Sequence, residues 1–330
     1  MGKIKLLLNV GTCFSATSPF HYTVSLDHKC VWTGHTKESQ YLYYMMSGKD
    51  SIRLNPEKMV KGMPDIPKDK PDDWYQKHLS AFWDEIAQKG LKPDILGVHS
   101  EYIGDKWTQE EVDEFFRSSL SIEKYIRYYK KHWENVKGIY EWVGDFSNQS
   151  AVLTIPFMYS IRDELLDTFD IKVTMQFRDP VRRLFSAANK NVKLGYYPDK
   201  TPIEVMYQWL GGAFEPNAYY SSIYRRHAQI WGKENVKAIV MEDFWNPDNK
   251  KEQLAELSDF MDYKFTKIHR NVYYPDMGSK APKYEYLGDQ FSSDFTDLTD
   301  DQYKKCFELM KEVYTEYKKT FGYLPDAWGK

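Results

Sequence analysis

Arg178 and Ser186 stand eight residues apart in Phe177-Arg178-Asp179-Pro180-Val181-Arg182-Arg183-Leu184-Phe185-Ser186, and together they have the chemistry to hold a phosphate. The guanidinium offers a fixed fork of donors that matches an oxyanion. The serine adds a hydroxyl from the first turns of a new helix, where free backbone N–H groups already favour negative charge. A second stretch, Gly11-Thr12-Cys13-Phe14-Ser15-Ala16-Thr17-Ser18, is small and hydroxylated, so its backbone N–H groups can approach a phosphate or sulfate closely. It lacks the Gly-Lys-Ser/Thr ending of a Walker A loop. Both stretches also have plainer readings. Arg178-Asp179-Pro180 would serve as a helix start with a self-paired salt bridge, and the first loop as a Ser/Thr-rich turn.

Each stretch follows a run that reads as a buried strand. Lys3 to Asn9 is Lys-Ile-Lys-Leu-Leu-Leu-Asn, and Ile171 to Phe177 is Ile-Lys-Val-Thr-Met-Gln-Phe, both apolar enough for a parallel strand covered on both faces. Val236 to Met241 reads as another, ending in Glu242-Asp243-Phe244, and Pro93 to Val98 as a shorter one. Helical spacing covers 36–48, Trp74 to Gln88 with Gly90 as its stop, Ser121 to Lys131, 157–168, a stretch from about 180, and Tyr219 to Trp231. Thr108-Gln109-Glu110-Glu111 resembles a capping box, and Gly62 to Pro71 is a proline-rich loop. Strands alternating with helices predict an α/β protein, a central parallel β-sheet flanked by helices on both faces. Ligands belong at the carboxyl ends of such strands, where both phosphate stretches fall.

Taken together, the two stretches resemble the phosphate elements of the sulfotransferases that use 3′-phosphoadenosine 5′-phosphosulfate (PAPS) as sulfuryl donor and release 3′-phosphoadenosine 5′-phosphate (PAP). Gly11 to Ser18 is similar to the 5′-phosphosulfate loop, commonly Gly-x-x-Arg/Lys-Ser/Thr-Gly-Thr-Thr/Ser, and Arg178 to Ser186 to the 3′-phosphate element, Arg-Asp-Pro-x-x-Arg-x-x-Ser. The resemblance implies a P-loop NTPase-like sulfotransferase fold, a single domain over 1–330 with a variable, mostly helical insertion at about 50–140 that shapes the acceptor cleft. It implies that Arg178 and Ser186 hold the 3′-phosphate, and that Thr12, Phe14, Ser15, Ala16, Thr17 and Ser18 line the 5′ end. Asp276 to Lys283 is similar to a late basic loop that folds over the donor, which makes Gly278, Ser279 and Lys280 further candidate contacts. Gly144 to Asn148 loosely resembles the Gly-Glu-x-x-Pro segment that often precedes the second phosphate element.

Val31 to Tyr41 resembles the Lys-Glu-x-His-Phe-Phe segment of the glycosaminoglycan O-sulfotransferases. That likeness implies Glu38 as catalytic base and Lys37 as a neighbouring cation, with His35 in the same segment as the competing proton acceptor. It favours a carbohydrate hydroxyl as acceptor, with a tyrosine hydroxyl or a small metabolite behind it. One position departs from the pattern: Phe14 stands where the first loop usually carries lysine or arginine, so Lys37, His21 or another base has to stand in, or the site is weak. Two other functions therefore stay open, a noncatalytic nucleotide- or glycan-binding protein of the same fold and an ATP-dependent kinase.

Composition bounds these readings. A net charge of −3 over 330 residues excludes general nucleic-acid binding by a basic face. Positive charge is local instead, in Arg178, Arg182, Arg183, Lys190 and Lys193 and again in Arg225-Arg226-His227, as solvated faces or as contacts to the donor or an acidic acceptor. Three cysteines without metal-ligand spacing and eight scattered histidines predict a reducing compartment, no disulfide framework and no metal. No apolar run approaches the ~20 residues that span a bilayer, and the apolar stretch near the start is too brief for a signal peptide, so a soluble, cytoplasmic enzyme without a membrane segment is expected. The oligomeric state is not legible. The 26 tyrosines and 10 tryptophans suit sugar stacking, but core filling accounts for most of them more simply.

Overall fold

Leu6, Leu7 and Leu8 are three successive apolar residues, and each is 4% exposed or less, as a strand covered on both faces requires. Leu6 and Leu8 join one hydrophobic cluster and Leu7 another, so the period-2 alternation of the strand builds a core on each side of the sheet. Full burial of one such leucine is worth roughly 1.5–3 kcal/mol.

The computed structural model describes residues 2–15, 17–33, 39–48, 119–193, 196–210, 218–246, 248–268 and 298–329. In chain order these hold β1 (Ile4–Asn9), α1 (Thr17–His21) running into a π-helical turn (Tyr22–Asp27), β2 (Val31–Trp32), α2 (Tyr41–Met46), α3 (Ile122–Val136), β3 (Trp142–Asp145), a 3-10 turn (Asn148–Val152) and α4 (Ile155–Thr168). There follow β4 (Phe169–Phe177), α5 (Pro180–Lys193), α6 (Pro202–Trp209), α7 (Tyr220–Trp231), β5 (Val236–Val240), α8 (Met241–Trp245), α9 (Lys250–Met261), α10 (Asp300–Leu309) and α11 (Lys311–Phe321).

The five strands form one sheet in the order β2-β3-β1-β4-β5, and every neighbouring pair is parallel. This is the predicted α/β architecture. β1 sits at the centre, with Leu7 opposite Gly144 of β3 and Lys172 of β4. Parallel pairing of β1 and β4 carries both strands out at the same edge, so the loop after β1 and the helix after β4 start side by side.

Several expectations need correction. Of the helix expected over 36–48, the described residues form α2 from Tyr41 to Met46, with Gln40 ahead of it in a left-handed backbone (φ 55°), and 36–38 fall outside the described residues. β5 stops at Val240 and the next residues coil into α8, so Glu242, Asp243 and Phe244 lie on a helical turn rather than at a strand end. α3 continues past Lys131 to Val136, because Tyr125, Tyr129, His132 and Val136 keep one face buried. β2, β3, α6 and α9 were not anticipated. α3 lies inside the stretch expected as an insertion. The predicted elements at 62–71, 74–88, 93–98 and from Thr108 fall outside the described residues. Among the described residues no helix is long and apolar enough to cross a membrane.

Candidate functional site

The chain leaving β1 does not turn away from the sheet at once. The Val10 amide donates to the Thr174 carbonyl at 3.0 Å, the Gln176 amide to the Gly11 carbonyl at 2.6 Å, and the Thr12 amide to the Gln176 carbonyl at 3.0 Å. The Thr12 hydroxyl also donates to the Gln176 carbonyl (3.2 Å), which leaves the Ser15 hydroxyl, 2.7 Å away, as donor between the two. Behind this backbone the Asn9 amide donates to Thr174 Oγ1 at 2.9 Å and to Gln176 Oε1 at 2.8 Å. Gly11 is required: its φ is +107°, and a Cβ there would lie 2.7 Å from the Asn148 carbonyl oxygen. Phe14 holds a left-handed backbone (φ 63°), which is uncommon for a bulky residue. The loop is therefore locked to β4 immediately ahead of Arg178.

Arg178 closes β4, and its Nη1 donates to Ser186 Oγ at 2.8 Å. Asp179 caps α5 by accepting the Arg182 amide at 2.9 Å, and Pro180 fits the first helical position. The second oxygen of Asp179 accepts the hydroxyls of Tyr303 (2.6 Å) and Tyr314 (3.1 Å). Glu242 accepts the Asp179 amide at 2.9 Å and the Trp328 indole at 2.9 Å. These carboxylates are spent on capping, tyrosines and an indole. The self-paired salt bridge is thus absent, since among the described residues no carboxylate lies within 4.0 Å of the Arg178 guanidinium. Burial pulls the Arg178 pKa down, and the nearby Glu242, Tyr220 and Asp179 only partly offset it. A part-buried guanidinium with no carboxylate in salt-bridge reach among the described residues, already bonded to a serine, can take an anion.

The strand neighbouring β1 on its other side ends in a second buried cluster. Asp145 accepts the Ser147 hydroxyl and, at 2.9 Å, the Tyr125 hydroxyl. Burial raises its carboxyl above the usual range, against the pull of those hydroxyls. Ser147 accepts the Gln40 amide at 2.8 Å, and the Gln40 side chain accepts the Gln149 amide at 3.0 Å. At the other end of the 34–38 segment His21 Nε2 lies 3.0 Å from Thr33 Oγ1. His21 is 2% exposed and packs edge-on against Phe146.

Thr12, Phe14, Ser15 and Thr17 lie in the loop and at the start of α1, and Ser18 lies within α1. Arg178 and Ser186 are in direct contact, beside that loop. Ala16, His35, Lys37, Glu38, Gly278, Ser279 and Lys280 fall outside the described residues, and so does the basic loop at 276–283. Sequence reasoning missed Tyr303, Tyr314, Trp328 and the Asp145 cluster. Asp145 carried a signal in its loose motif; the aromatic residues carried none. Among the described residues no cluster of histidine, cysteine or acidic side chains could hold a metal.

No protein-family profile matches the chain, and no curated protein matches it. Solved structures do. A sulfotransferase from Alicyclobacillus acidocaldarius aligns over 100% of both chains at 14% identity with a TM-score of 0.52. The sulfotransferase domain of the Synechococcus olefin synthase aligns over 98% of this chain and 95% of its own at 13% identity (TM-score 0.42). A Mycobacterium avium sulfotransferase aligns over 97% and 78% at 11% identity (TM-score 0.43). The first carries the comparison: this chain has the fold seen in that sulfotransferase.

Proposed function

We propose that the chain is a sulfotransferase that binds PAPS across the β1 loop and the β4–α5 junction and acts on a hydroxyl acceptor, carbohydrate being the favoured class. The observation that carries this reading is the Arg178–Ser186 pair, a guanidinium with no carboxylate partner among the described residues at the carboxyl edge of a parallel sheet. When bound, PAPS supplies the sulfuryl group. Arg178 and Ser186 anchor the 3′-phosphate, and the amides and hydroxyls of the loop surround the 5′ end. Glu38 takes the acceptor proton, with His35 as its competitor and Lys37 as a nearby cation. The carbohydrate preference rests on the likeness of the Lys37-Glu38 segment alone.

Calorimetric binding of PAP against ATP and 5′-AMP tests the reading. The wild type is expected to prefer PAP, and Arg178→Ala to lose about 30- to 100-fold of that affinity, the worth of charge-assisted hydrogen bonds. Equal affinity for PAP and 5′-AMP would overturn it. Phe14 favours a second reading, a noncatalytic nucleotide-binding protein. That protein would bind PAP and transfer nothing to any acceptor offered with PAPS.

A further inference from the structure

Of the charges around the Arg178 guanidinium, the Glu242 carboxylate does most to offset the burial that pulls its pKa down. The two nevertheless form no salt bridge. Both oxygens of Glu242 are held by neutral donors instead: Oε1 accepts the Asp179 amide and Oε2 the Trp328 indole N–H, each at 2.9 Å. Asp179, the other carboxylate beside Arg178, is held from the same side. Its Oδ2 accepts the Tyr303 hydroxyl, whose oxygen accepts the Gly329 amide at 2.8 Å. The stretch that follows α11 thus lies behind the β4–α5 junction. Trp328 is buried there, its ring centroid 4.6 Å from that of Tyr317 and 5.9 Å from that of Tyr220, which donates to the Arg178 carbonyl at 2.7 Å.

We propose that Trp328 is a positioning residue whose indole N–H holds the Glu242 carboxylate off the Arg178 guanidinium, so that an incoming anion finds Arg178 available. This rests on reading the site as one for a 3′-phosphorylated adenine nucleotide. A half-buried carboxylate that loses a donor takes the nearest replacement, and a guanidinium offers it two parallel hydrogen bonds. Such an ion pair has to open before a phosphate can bind. Apparent affinity then falls by the fraction of molecules in which the guanidinium is available. Held by the indole, Glu242 keeps the charge that supports a buried cation without filling the anion's place. The tyrosine rings packed on Trp328 fix the direction of its N–H.

Comparing PAP with 5′-AMP, which lacks the 3′-phosphate, isolates this effect. In calorimetry Trp328→Phe is expected to cut PAP affinity about tenfold while leaving 5′-AMP within about twofold. Because phenylalanine also removes ring area, the comparison is repeated with 3-benzothienylalanine at position 328, which keeps the two-ring shape and lacks only the donor; the same loss is expected. Adding Glu242→Gln to Trp328→Phe should restore PAP affinity to within about threefold of wild type, since the amide still accepts from Asp179 and no longer pairs with Arg178. A wild-type PAP to 5′-AMP ratio in the sulfur analogue, or a loss undiminished in the double variant, would overturn the assignment and trace any effect to packing. A wild type that does not prefer PAP would instead remove the nucleotide reading on which it rests. Thermal melting of each variant confirms that it is folded before the ratios are compared.

Discussion

The carboxylate of Asp179 accepts the Arg182 amide and the hydroxyls of Tyr303 and Tyr314, so the group that starts α5 is also the one to which α10 and α11 are tied. With Asp179 occupied in this way, the Arg178 guanidinium beside it bonds the Ser186 hydroxyl instead. Arg178 and Ser186 could be read from sequence because they lie in one local stretch whose strand-then-helix pattern is strong. The partners of Asp179 could not, because Tyr303 and Tyr314 lie 124 and 135 positions away and no periodicity links them. Glu38 marks the other chemistry expected of the site. Glu38→Ala is expected to abolish sulfuryl transfer while changing PAP affinity by less than about twofold, since in the proposed role Glu38 would act on the acceptor rather than the nucleotide. Transfer by the variant at the wild-type rate would move the proton to His35.

At the scale of elements, the site stands where β1 and β4 emerge in parallel and the loop of one is laced to the last residues of the other. The strands carrying it were legible through their continuous apolar runs. β2 and β3 were not, because two residues and Trp142-Val143-Gly144-Asp145 are too short to show a period. The α10–α5 contact is the element-scale joint to test. Tyr303→Phe removes two hydrogen bonds, the one to a buried carboxylate that keeps its other donors and the one accepted from the Gly329 amide, which should together cost roughly 1–3 kcal/mol. A urea midpoint lowered at constant slope would show this, and an unmoved midpoint would mean that the tyrosine ring alone holds α10 in place.

Across the whole molecule, two buried titratable groups oppose each other. Burial, with Arg226 adding repulsion, pushes the His227 pKa down to about 4, and the ring donates from Nε2 to the Ser150 carbonyl at 3.2 Å. Its folded-state pKa is depressed, so the folded form excludes the proton: its contribution is complete above pH 6.5 and is lost as pH falls towards 4, up to about 3 kcal/mol. Asp145 runs the other way, because its raised pKa favours the folded state as pH falls. His227→Gln, which keeps a donor for Ser150, should therefore flatten the loss of stability between pH 6.5 and 4 in urea unfolding. A slope identical to wild type would show that the imidazole does not govern it. The central position of β1 also has a consequence for synthesis of the chain. Its sheet partners lie at 142–145 and 169–177, so this apolar hexapeptide has no neighbouring strand to lie against until more than about 130 further residues have been made. At about 5–20 residues per second that is a wait of roughly 10–30 s, long enough for a chaperone to be the first surface it meets.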